Sequence, residues 1–299
     1  MRIVVTGGSG LLGTYLQNEI DAIFLSSSQY DLTDEQAVIK MFLEQKPDVL
    51  IHLAAKAGGM YDNMSRPFYF LEENVLMNTF IVKYAREFKV KKFVGALSTC
   101  IYQDVSDHYP LVEEDLYQGV PHENHLGYGY AKRLLGVHIN IAKKQGLNFS
   151  YVVPSNLYGL YEHGDITRKH FLGALLDKIL TANKMGADKI EVLGDGTPLR
   201  QFTYAKDVSE IIGLIVKYDV KENLNIATHE NLSIAEMTRL ALEASESTHL
   251  NVEWDTTKSN GQYRKDVSTE KLMNIFPNYQ FTSFYDGVKL VYEQLKNKS

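Results

Sequence analysis

The first 150 residues alternate between short apolar runs and longer amphipathic stretches. Runs rich in β-branched and aromatic residues predict buried strands at residues 2–6, 22–25, 49–53, 93–97 and 149–154. Between them, apolar residues recur at helical spacing over residues 11–20, 34–43, 71–88 and 128–144. This alternation predicts βαβ units and an α/β fold with a Rossmann-type, doubly wound parallel sheet.

The rhythm changes beyond residue 160. Helical patterns at 171–181, 234–244 and 284–295 are separated by predicted strands at 189–193 and 251–254, and residues 208–218 and 224–226 are candidates to return to the sheet. We therefore expect a dinucleotide-binding domain over residues 1–160 with a return at 201–226. A smaller C-terminal α/β substrate region, residues 161–200 and 227–299, is expected to close over the carboxyl edge of the sheet.

Composition narrows the class of protein. The 299 residues are 44% hydrophobic and 23% charged, as in ordinary globular proteins, and the net charge of −6 argues against a nucleic-acid partner. No apolar run approaches the ~20 residues that span a bilayer, and Ile3 to Val5 are too few for a signal peptide. The single cysteine, Cys100, excludes an internal disulfide and suits a reducing cytoplasm. Together these features predict a cytoplasmic protein without a membrane partner.

A glycine-rich segment joins the first predicted strand to the first helix. It satisfies G-x-x-G-x-x-G from Gly7 and G-x-G-x-x-G from Gly8, and its members are Gly7, Gly8, Ser9, Gly10, Leu11, Leu12 and Gly13. Without side chains the backbone can approach a pyrophosphate, and the start of the helix supplies amide donors. A simple tight turn is the alternative, but the flanking strand and helix favour a dinucleotide site.

The end of the second predicted strand bears on which dinucleotide is bound. Folds that prefer NAD usually carry Asp or Glu about 20 residues beyond the loop, whereas here Leu25 is followed by three serines. A hydroxyl such as that of Ser27 can donate to a 2′-phosphate, but this stretch contains no Lys or Arg. NADP(H) is therefore favoured and NAD(H) stays possible. Asp31 either receives the adenine amino group or caps the helix that starts near residue 34.

Tyr128 and Lys132 form the clearest candidate pair for catalysis. They lie four residues apart, on one face of a predicted helix, and Ser98 lies at the end of the fourth strand. A phenol exchanges protons poorly near neutral pH unless a nearby ammonium stabilises its anion. Lys132 would do this and hold a nicotinamide ribose, while Ser98 would bind the substrate oxygen. The alternative for Tyr-x-x-x-Lys alone is an exposed helix pair.

These features, in this order, resemble the extended short-chain dehydrogenase/reductase superfamily. Within it, the chain is similar over nearly its whole length to the GDP-L-fucose synthase family, the GDP-4-keto-6-deoxy-D-mannose 3,5-epimerase/4-reductases. The similarity is carried by five segments, His-Leu-Ala-Ala-Lys-Ala-Gly-Gly (52–59), Ser-Thr-Cys-Ile-Tyr (98–102), Gly-Tyr-Gly-Tyr-Ala-Lys-Arg (127–133), Pro-Ser-Asn-Leu-Tyr-Gly (154–159) and Asp-Thr-Thr-Lys-Ser-Asn-Gly-Gln (255–262).

The resemblance implies roles by position. Ser98, Tyr128 and Lys132 would form the reductase triad, and Cys100 and His170 the epimerisation pair. Arg200, Lys265 and Asn156 would bind a GDP-linked 4-keto sugar. The cofactor would be NADP(H), and the residues implied around it are Gly7, Gly10, Leu11, Leu12, Gly13, Ser27, Asp31, Leu53, Ala54, Ala55, Lys132, Pro154, Asn156 and Leu157. The helices at 71–88 and 128–144 would form a homodimeric four-helix bundle.

Epimerisation next to a ketone gives a chemical reason for the implied pair. The C4 ketone acidifies C3 and C5, and inverting a carbon requires groups on both faces of the sugar. A thiol and an imidazole exchange protons near neutral pH. Cys100 lies two residues beyond Ser98, so an extended backbone would send both side chains to one side. A buried hydrophobic cysteine and a helix-capping His170 are the alternatives.

Other residues and functions stay open at this point. His122, His125 and His163 show no metal-ligand spacing and are interpreted as surface or loop residues, so no metal site is expected. Residues 60–70 and 157–167 are candidate loops around the sugar C6. The alternative functions are a GDP-4-keto-sugar reductase without epimerisation, acting for example on a 4-keto-heptose, an NAD-recycling epimerase or dehydratase, and a non-catalytic dinucleotide sensor.

Overall fold

The computed structural model describes residues 1–160 and 170–298. Its strands are β1 (Ile3–Thr6), β2 (Ile23–Leu25), β3 (Val49–His52), β4 (Lys92–Ala96), β5 (Phe149–Pro154), β6 (Asn156–Tyr158), β7 (Lys189–Leu193), β8 (Leu199–Arg200), β9 (Phe202–Tyr204), β10 (Leu224–Ile226), β11 (Leu232–Ser233) and β12 (Asn251–Asp255). Its α-helices are α1 (Leu11–Leu16), α2 (Glu35–Gln45), α3 (Met60–Ser65), α4 (Pro67–Glu87), α5 (Leu126–Lys144), α6 (Phe171–Met185), α7 (Ala205–Lys217), α8 (Ile234–Ala244), α9 (Glu270–Ile275) and α10 (Phe284–Lys298).

Six strands form a parallel sheet in the order β10-β5-β4-β3-β1-β2. The chain runs outward from β1 in both directions, so β1 and β3 flank the point where the strand order reverses. Ligands of such sheets bind at the carboxyl ends of the strands near this point. The predicted Rossmann-type fold is confirmed.

Both faces of the sheet are covered by helices, because successive strand residues point to opposite sides. Val4, Leu50 and Phe93 pack in one core with α2, α4 and α5. Their immediate neighbours Val5, Ile51 and Val94 pack in the other core, which contains residues of α1 and α7. The strands are therefore mostly apolar, with a few buried polar residues such as His52 and Ser150.

The C-terminal segments form smaller pairs of strands beside this sheet. β7 pairs with β12 and β6 with β9, both parallel, and β8 pairs with β11 antiparallel. α6, α8 and α10 contribute to the core on the α1 and α7 side. Within the described ranges, no helix is long and apolar enough to cross a membrane.

Two expectations from the pattern are wrong. Residues 208–218 do not return as a strand but lie mostly in α7, because Val208, Ile211, Ile212 and Ile215 follow helical spacing and are all buried. The supposed loop at 60–70 contains α3 and the start of α4, with Pro67 at the first helical position. The other supposed loop, 157–167, begins in β6, and its later part lies outside the described residues. His163 also lies outside them.

Candidate active site

The glycine loop after β1 packs so closely that side chains cannot be added. Gly7 has a φ of +77°, and a Cβ there would lie 2.6 Å from the backbone nitrogen of Ala54. A Cβ on Gly13 would lie 2.3 Å from the carbonyl oxygen of Gly7. The loop and the segment after β3 therefore present bare backbone at the carboxyl edge of the sheet. This cradle fits the pyrophosphate of a dinucleotide.

Hydroxyl groups follow β2 at the same edge. The hydroxyls of Ser26 and Ser28 lie 2.7 Å apart, and Ser27 and Ser28 are exposed. Asp31 accepts hydrogen bonds from the backbone and the side chain of Thr33, which lowers the pKa of its carboxyl. The N-cap of α2 is Asp34, so Asp31 does not cap that helix.

A buried imidazole connects this edge to α5. His52, at the end of β3, is fully buried, and its two ring nitrogens contact the hydroxyl of Thr6 at 2.7 Å and the side-chain oxygen of Asn78 at 3.0 Å. The amide of Asn78 in turn donates to the carbonyl of Ala131 at 3.3 Å. Burial and the nearby ammonium of Lys132 lower the pKa of His52 to about 3. A neutral imidazole therefore links β1, β3, α4 and α5.

Ser98, Tyr128 and Lys132 lie where the sequence predicted, at the end of β4 and on the first turns of α5. The Ser98 hydroxyl accepts a bond from the backbone nitrogen of Cys100 at 3.4 Å. Lys132 is only 1% exposed, and its Nζ donates to the carbonyl of Ala96 at 2.7 Å. Burial lowers the pKa of Lys132 to about 8. Burial, and then the charge on Cys100, raise the pKa of Tyr128.

A cavity of about 570 Å³ opens beside this group. Its wall includes five residues that the sequence proposed, which come from distant parts of the chain: Cys100, Asn156, His170, Arg200 and Lys265. We call this cavity the cleft. Ser98 and Tyr128 lie beside Cys100, and Lys132 is buried behind them; these three residues do not line the cleft, and we call them the sheet side. His170, Arg200 and Lys265 line the cleft, and we call them the cap side.

Cys100 is the meeting point of the two sides. It is the second residue of the 3₁₀ turn Thr99–Ile101, and its Sγ lies 3.9 Å from the Nζ of Lys265. The thiol is partly accessible, so it is not merely a buried hydrophobe of the core. Tyr128 and Arg200 both lie within the electrostatic reach of this sulfur.

His170 occupies the N-cap position of α6, but its side chain makes no capping hydrogen bond. The side chain is open to the cleft instead. Desolvation by the surrounding walls, together with the ammonium of Lys265, lowers the pKa of this imidazole. His170 therefore presents a neutral ring toward the same space as Cys100.

Arg200 and Asn156 are held by backbone carbonyls at the wall of the cleft. Nη1 of Arg200 donates to the carbonyls of Leu199 at 2.7 Å and Tyr263 at 3.3 Å. The amide of Asn156 donates to the carbonyl of Gln201 at 3.1 Å. With Lys265 nearby, these donors suit an anionic ligand. Among the described residues, no cluster of His, Cys, Asp or Glu could hold a metal ion.

Two histidines interpreted as surface or loop residues lie at a turn, as expected, but this turn lines the cleft. His122 precedes the 3₁₀ turn Glu123–His125 and His125 is its last residue, and the turn leads directly into α5. Burial and the positive charge of Lys265 lower the pKa of His125 to about 3. The available signal was position: His125 precedes Tyr128 by three residues, so the turn before the helix had to approach the same site.

The chain is similar to known proteins over most of its length. Residues 3–227 match the family described as "NAD dependent epimerase/dehydratase family". A GDP-L-fucose synthase from Dictyostelium discoideum is 34% identical over 96% of this chain and 92% of its own length.

The structural relatives extend over the same length. A GDP-L-fucose synthetase from Naegleria fowleri bound to NADP superposes with a TM-score of 0.88 at 33% identity, covering 99% of this chain and 93% of that one. A GDP-6-OMe-4-keto-L-xylo-heptose reductase from C. jejuni, 21% identical with a TM-score of 0.90, covers 100% of this chain and 98% of its own and shares the fold. The chain belongs to the NAD dependent epimerase/dehydratase family.

Proposed function

We propose that the protein converts a GDP-4-keto-6-deoxy-hexose by epimerisation at C3 and C5 and reduction at C4, as a GDP-L-fucose synthase does. One observation carries this proposal. The cleft brings Cys100 and His170, which suit proton exchange, to the end of β4, where Ser98 and Tyr128 suit reduction of a ketone.

The proposed cofactor is NADPH, which would lie along the carboxyl edge of the sheet. The structural relative from Naegleria fowleri binds NADP, and the glycine cradle of this chain fits a dinucleotide. When bound, the nicotinamide supplies the hydride for the reduction. The residues we assign to this site are Gly7, Gly10, Leu11, Leu12, Gly13, Ser27, Asp31, Leu53, Ala54, Ala55, Lys132, Pro154, Asn156 and Leu157. NADH is a possible substitute, because no basic residue occurs among residues 25–31.

In the reduction, Tyr128 donates a proton to the C4 oxygen of the sugar. Its phenol is a weak acid in this environment, since burial raises its pKa. The ammonium of Lys132, one helical turn away, stabilises the phenolate that forms. Ser98 holds the ketone oxygen beside the phenol by a hydrogen bond.

In the epimerisation, Cys100 and His170 act on opposite faces of the sugar. One group removes a proton from C3 or C5, and the electron pair of the broken C–H bond moves toward the C4 ketone oxygen. The other group returns a proton to the opposite face of the same carbon, which restores the ketone. Arg200, Lys265 and Asn156 would hold the GDP-linked end of the substrate.

The test uses solvent deuterium. The protein is incubated with NADPH and GDP-4-keto-6-deoxymannose in D₂O, and the product is analysed by NMR and mass spectrometry. We expect NADPH oxidation and deuterium at both C3 and C5. NADPH oxidation with an unlabelled product would indicate a reductase without epimerisation, and a parallel incubation with a GDP-4-keto-heptose would then identify its substrate. No net NADPH oxidation would indicate a cofactor-recycling epimerase or dehydratase.

We further propose a cytoplasmic homodimer that buries the outer faces of α4 and α5. These helices pack on each other, yet they leave large apolar side chains exposed, with Phe68 72% and Ile141 52% accessible. Leu76 and Leu134 add to this surface. Sedimentation of the protein should give a dimer, and combining Leu134→Glu with Ile141→Glu should give a monomer. A monomeric unsubstituted protein would refute this assembly.

A further inference from the structure

We propose that Lys265 stabilises the thiolate of Cys100 and thereby prepares it as the base that removes the sugar proton. The proposal rests on the proposed function and deepens it. Family resemblance places Lys265 near the GDP moiety, whereas in this structure its Nζ lies 3.9 Å from the Cys100 sulfur. The two residues are 165 positions apart, so the fold creates this contact and no local motif does.

The ammonium of Lys265 is not neutralised by a carboxylate among the described residues. Its neighbour Asp266 is the nearest acid in the sequence, but that carboxylate binds the guanidinium of Arg264 in a two-point contact. Lys265 therefore places an ammonium without a carboxylate partner in a partly buried space, where burial lowers its pKa and the adjacent Cys100 sulfur raises it. An anion on the adjacent sulfur is the group that this charge favours.

The other groups around the thiol have distinct effects. Arg200, from β8, is a second cation within the electrostatic reach of the sulfur, and it adds to the attraction for an anion. Tyr128, from α5, has a raised pKa and stays neutral beside the thiolate. His125 and His170 face Lys265 and have lowered pKa values, so they add little positive charge near neutral pH. Lys265 is the cation whose Nζ contacts the sulfur directly, at 3.9 Å.

The consequence for the reaction is a ready base. A thiolate removes a proton from carbon directly: the C–H bond breaks, an S–H bond forms, and the electron pair moves into the enediolate. A neutral thiol must first lose its own proton to solvent. The proposal therefore predicts that removing the charge of Lys265 slows proton abstraction more than it weakens binding of the GDP moiety.

The sole cysteine permits a direct test without substrate or cofactor. The rate of alkylation of Cys100 by iodoacetamide is measured from pH 6 to pH 9.5 in the whole protein and in three variants, because only the thiolate reacts. Lys265→Met should lower the rate at pH 7 by about tenfold and approach the unsubstituted protein at high pH. Lys265→Arg should retain most of the rate. Lys178→Met is the control, because that lysine also lines the cleft but donates to the carbonyl of Glu191.

Each outcome is decisive. Equal alkylation profiles for Lys265→Met and the unsubstituted protein would overturn the proposal, and a raised KM for the GDP-sugar in that variant would then assign the lysine to the diphosphate. Loss of rate in Lys265→Met with retention in Lys265→Arg supports it, and thermal unfolding of both variants checks that they fold. If the unsubstituted protein puts no deuterium into its product while alkylation still depends on Lys265, the epimerisation fails and the thiolate proposal stands.

Discussion

The sheet side comes from one continuous stretch of the parallel sheet and its helix, whereas the cap side is assembled from three separated segments. Lys132 is buried against the carbonyl of Ala96, and its position is set by β4 and α5, which pack together. Lys265 lies between β12 and α9, open to the cleft, and meets Cys100 across 165 positions of sequence.

The difference separates two kinds of chemical requirement. Reduction by hydride needs one phenol fixed beside one ketone. Tyr128 is the phenol, and the buried Lys132 on the same helix stands one turn away to stabilise its anion. Proton exchange on two faces of a sugar needs groups on opposite walls, and such groups cannot come from one helix. On the proposed function, the cap side therefore supplies His170, the residue that an epimerising enzyme needs and a simple reductase does not.

The largest expected effect concerns the sheet side. Tyr128→Phe removes the proton donor and should lower NADPH oxidation by about 10²- to 10⁴-fold, with the NADPH dissociation constant unchanged. Steady-state kinetics and a fluorescence titration measure the two quantities. Tyr130→Phe is the matched control, because Tyr130 lies on the same helix but is exposed. Unchanged turnover in Tyr128→Phe would refute the reductase assignment.

A change on the cap side should affect deuterium incorporation rather than NADPH oxidation. His170→Asn is expected to slow deuterium incorporation at C3 and C5 by about 100-fold, because one of the two proton-exchanging groups is lost. Reduction of the unepimerised ketone should continue, so the product changes in stereochemistry. The control is His249→Asn, a histidine on the surface away from the cleft. If labelling and reduction fall by the same factor in His170→Asn, the two sides do not have separate roles.

The sheet side could be predicted from sequence because its signals are local. Tyr128 and Lys132 are one helical turn apart, Ser98 directly follows the strand predicted at 93–97, and Gly7 and Gly13 sit at fixed spacing after β1. Hydrophobic periodicity, together with the glycine spacing and the Tyr-x-x-x-Lys spacing, therefore placed these residues at one edge of the sheet. The same reasoning misassigned residues 208–218, since an apolar run of that length fits both strand and helix until its spacing is counted.

The cap side could not be derived in this way. Nothing in the spacing of His170, Arg200 and Lys265 places them together, because long-range packing of α6, β8 and the segment after β12 does so. Family resemblance supplied these residues but not the contact of Lys265 with Cys100. His125 was missed because an isolated histidine in a turn carries no periodic signal.

A smaller effect is expected on the free energy of unfolding, because burying the ammonium of Lys132 destabilises the folded protein. Burial lowers the pKa of Lys132 to about 8, below its unfolded value near 10.5, so the folded protein binds fewer protons than the unfolded chain between these limits. Above pH 10.5 the amine is neutral in both states, and its burial does not lower the free energy of unfolding. As the pH falls through about 8 the buried amine is protonated, and the full cost of burying its charge is then present. Lys132→Met should be more stable than the unsubstituted protein at pH 7, by up to about 3 kcal/mol, with the difference shrinking toward pH 10.5.

Urea unfolding at several pH values measures this difference. Lys144→Met, an exposed position on the same helix, is the control and should show no such trend. A Lys132→Met variant that is less stable at pH 7 would mean that the bond to the Ala96 carbonyl outweighs the cost of burying the ammonium.

The smallest expected effect concerns the serines after β2, at the carboxyl edge of the sheet, where residues 25–31 contain no basic side chain to bind a 2′-phosphate. Ser28→Arg should raise the preference for NADPH over NADH, in kcat/KM, by about tenfold, because a guanidinium binds a 2′-phosphate more strongly than a serine hydroxyl does. Ser28→Gln, which adds a polar side chain without charge, should leave the ratio near its starting value. A ratio that Ser28→Arg does not change would place the 2′-hydroxyl end of the cofactor away from the serines after β2. The preference for NADPH over NADH would then depend on other residues at the edge of the sheet. The absence of a basic residue after Leu25 would not bear on the choice of cofactor.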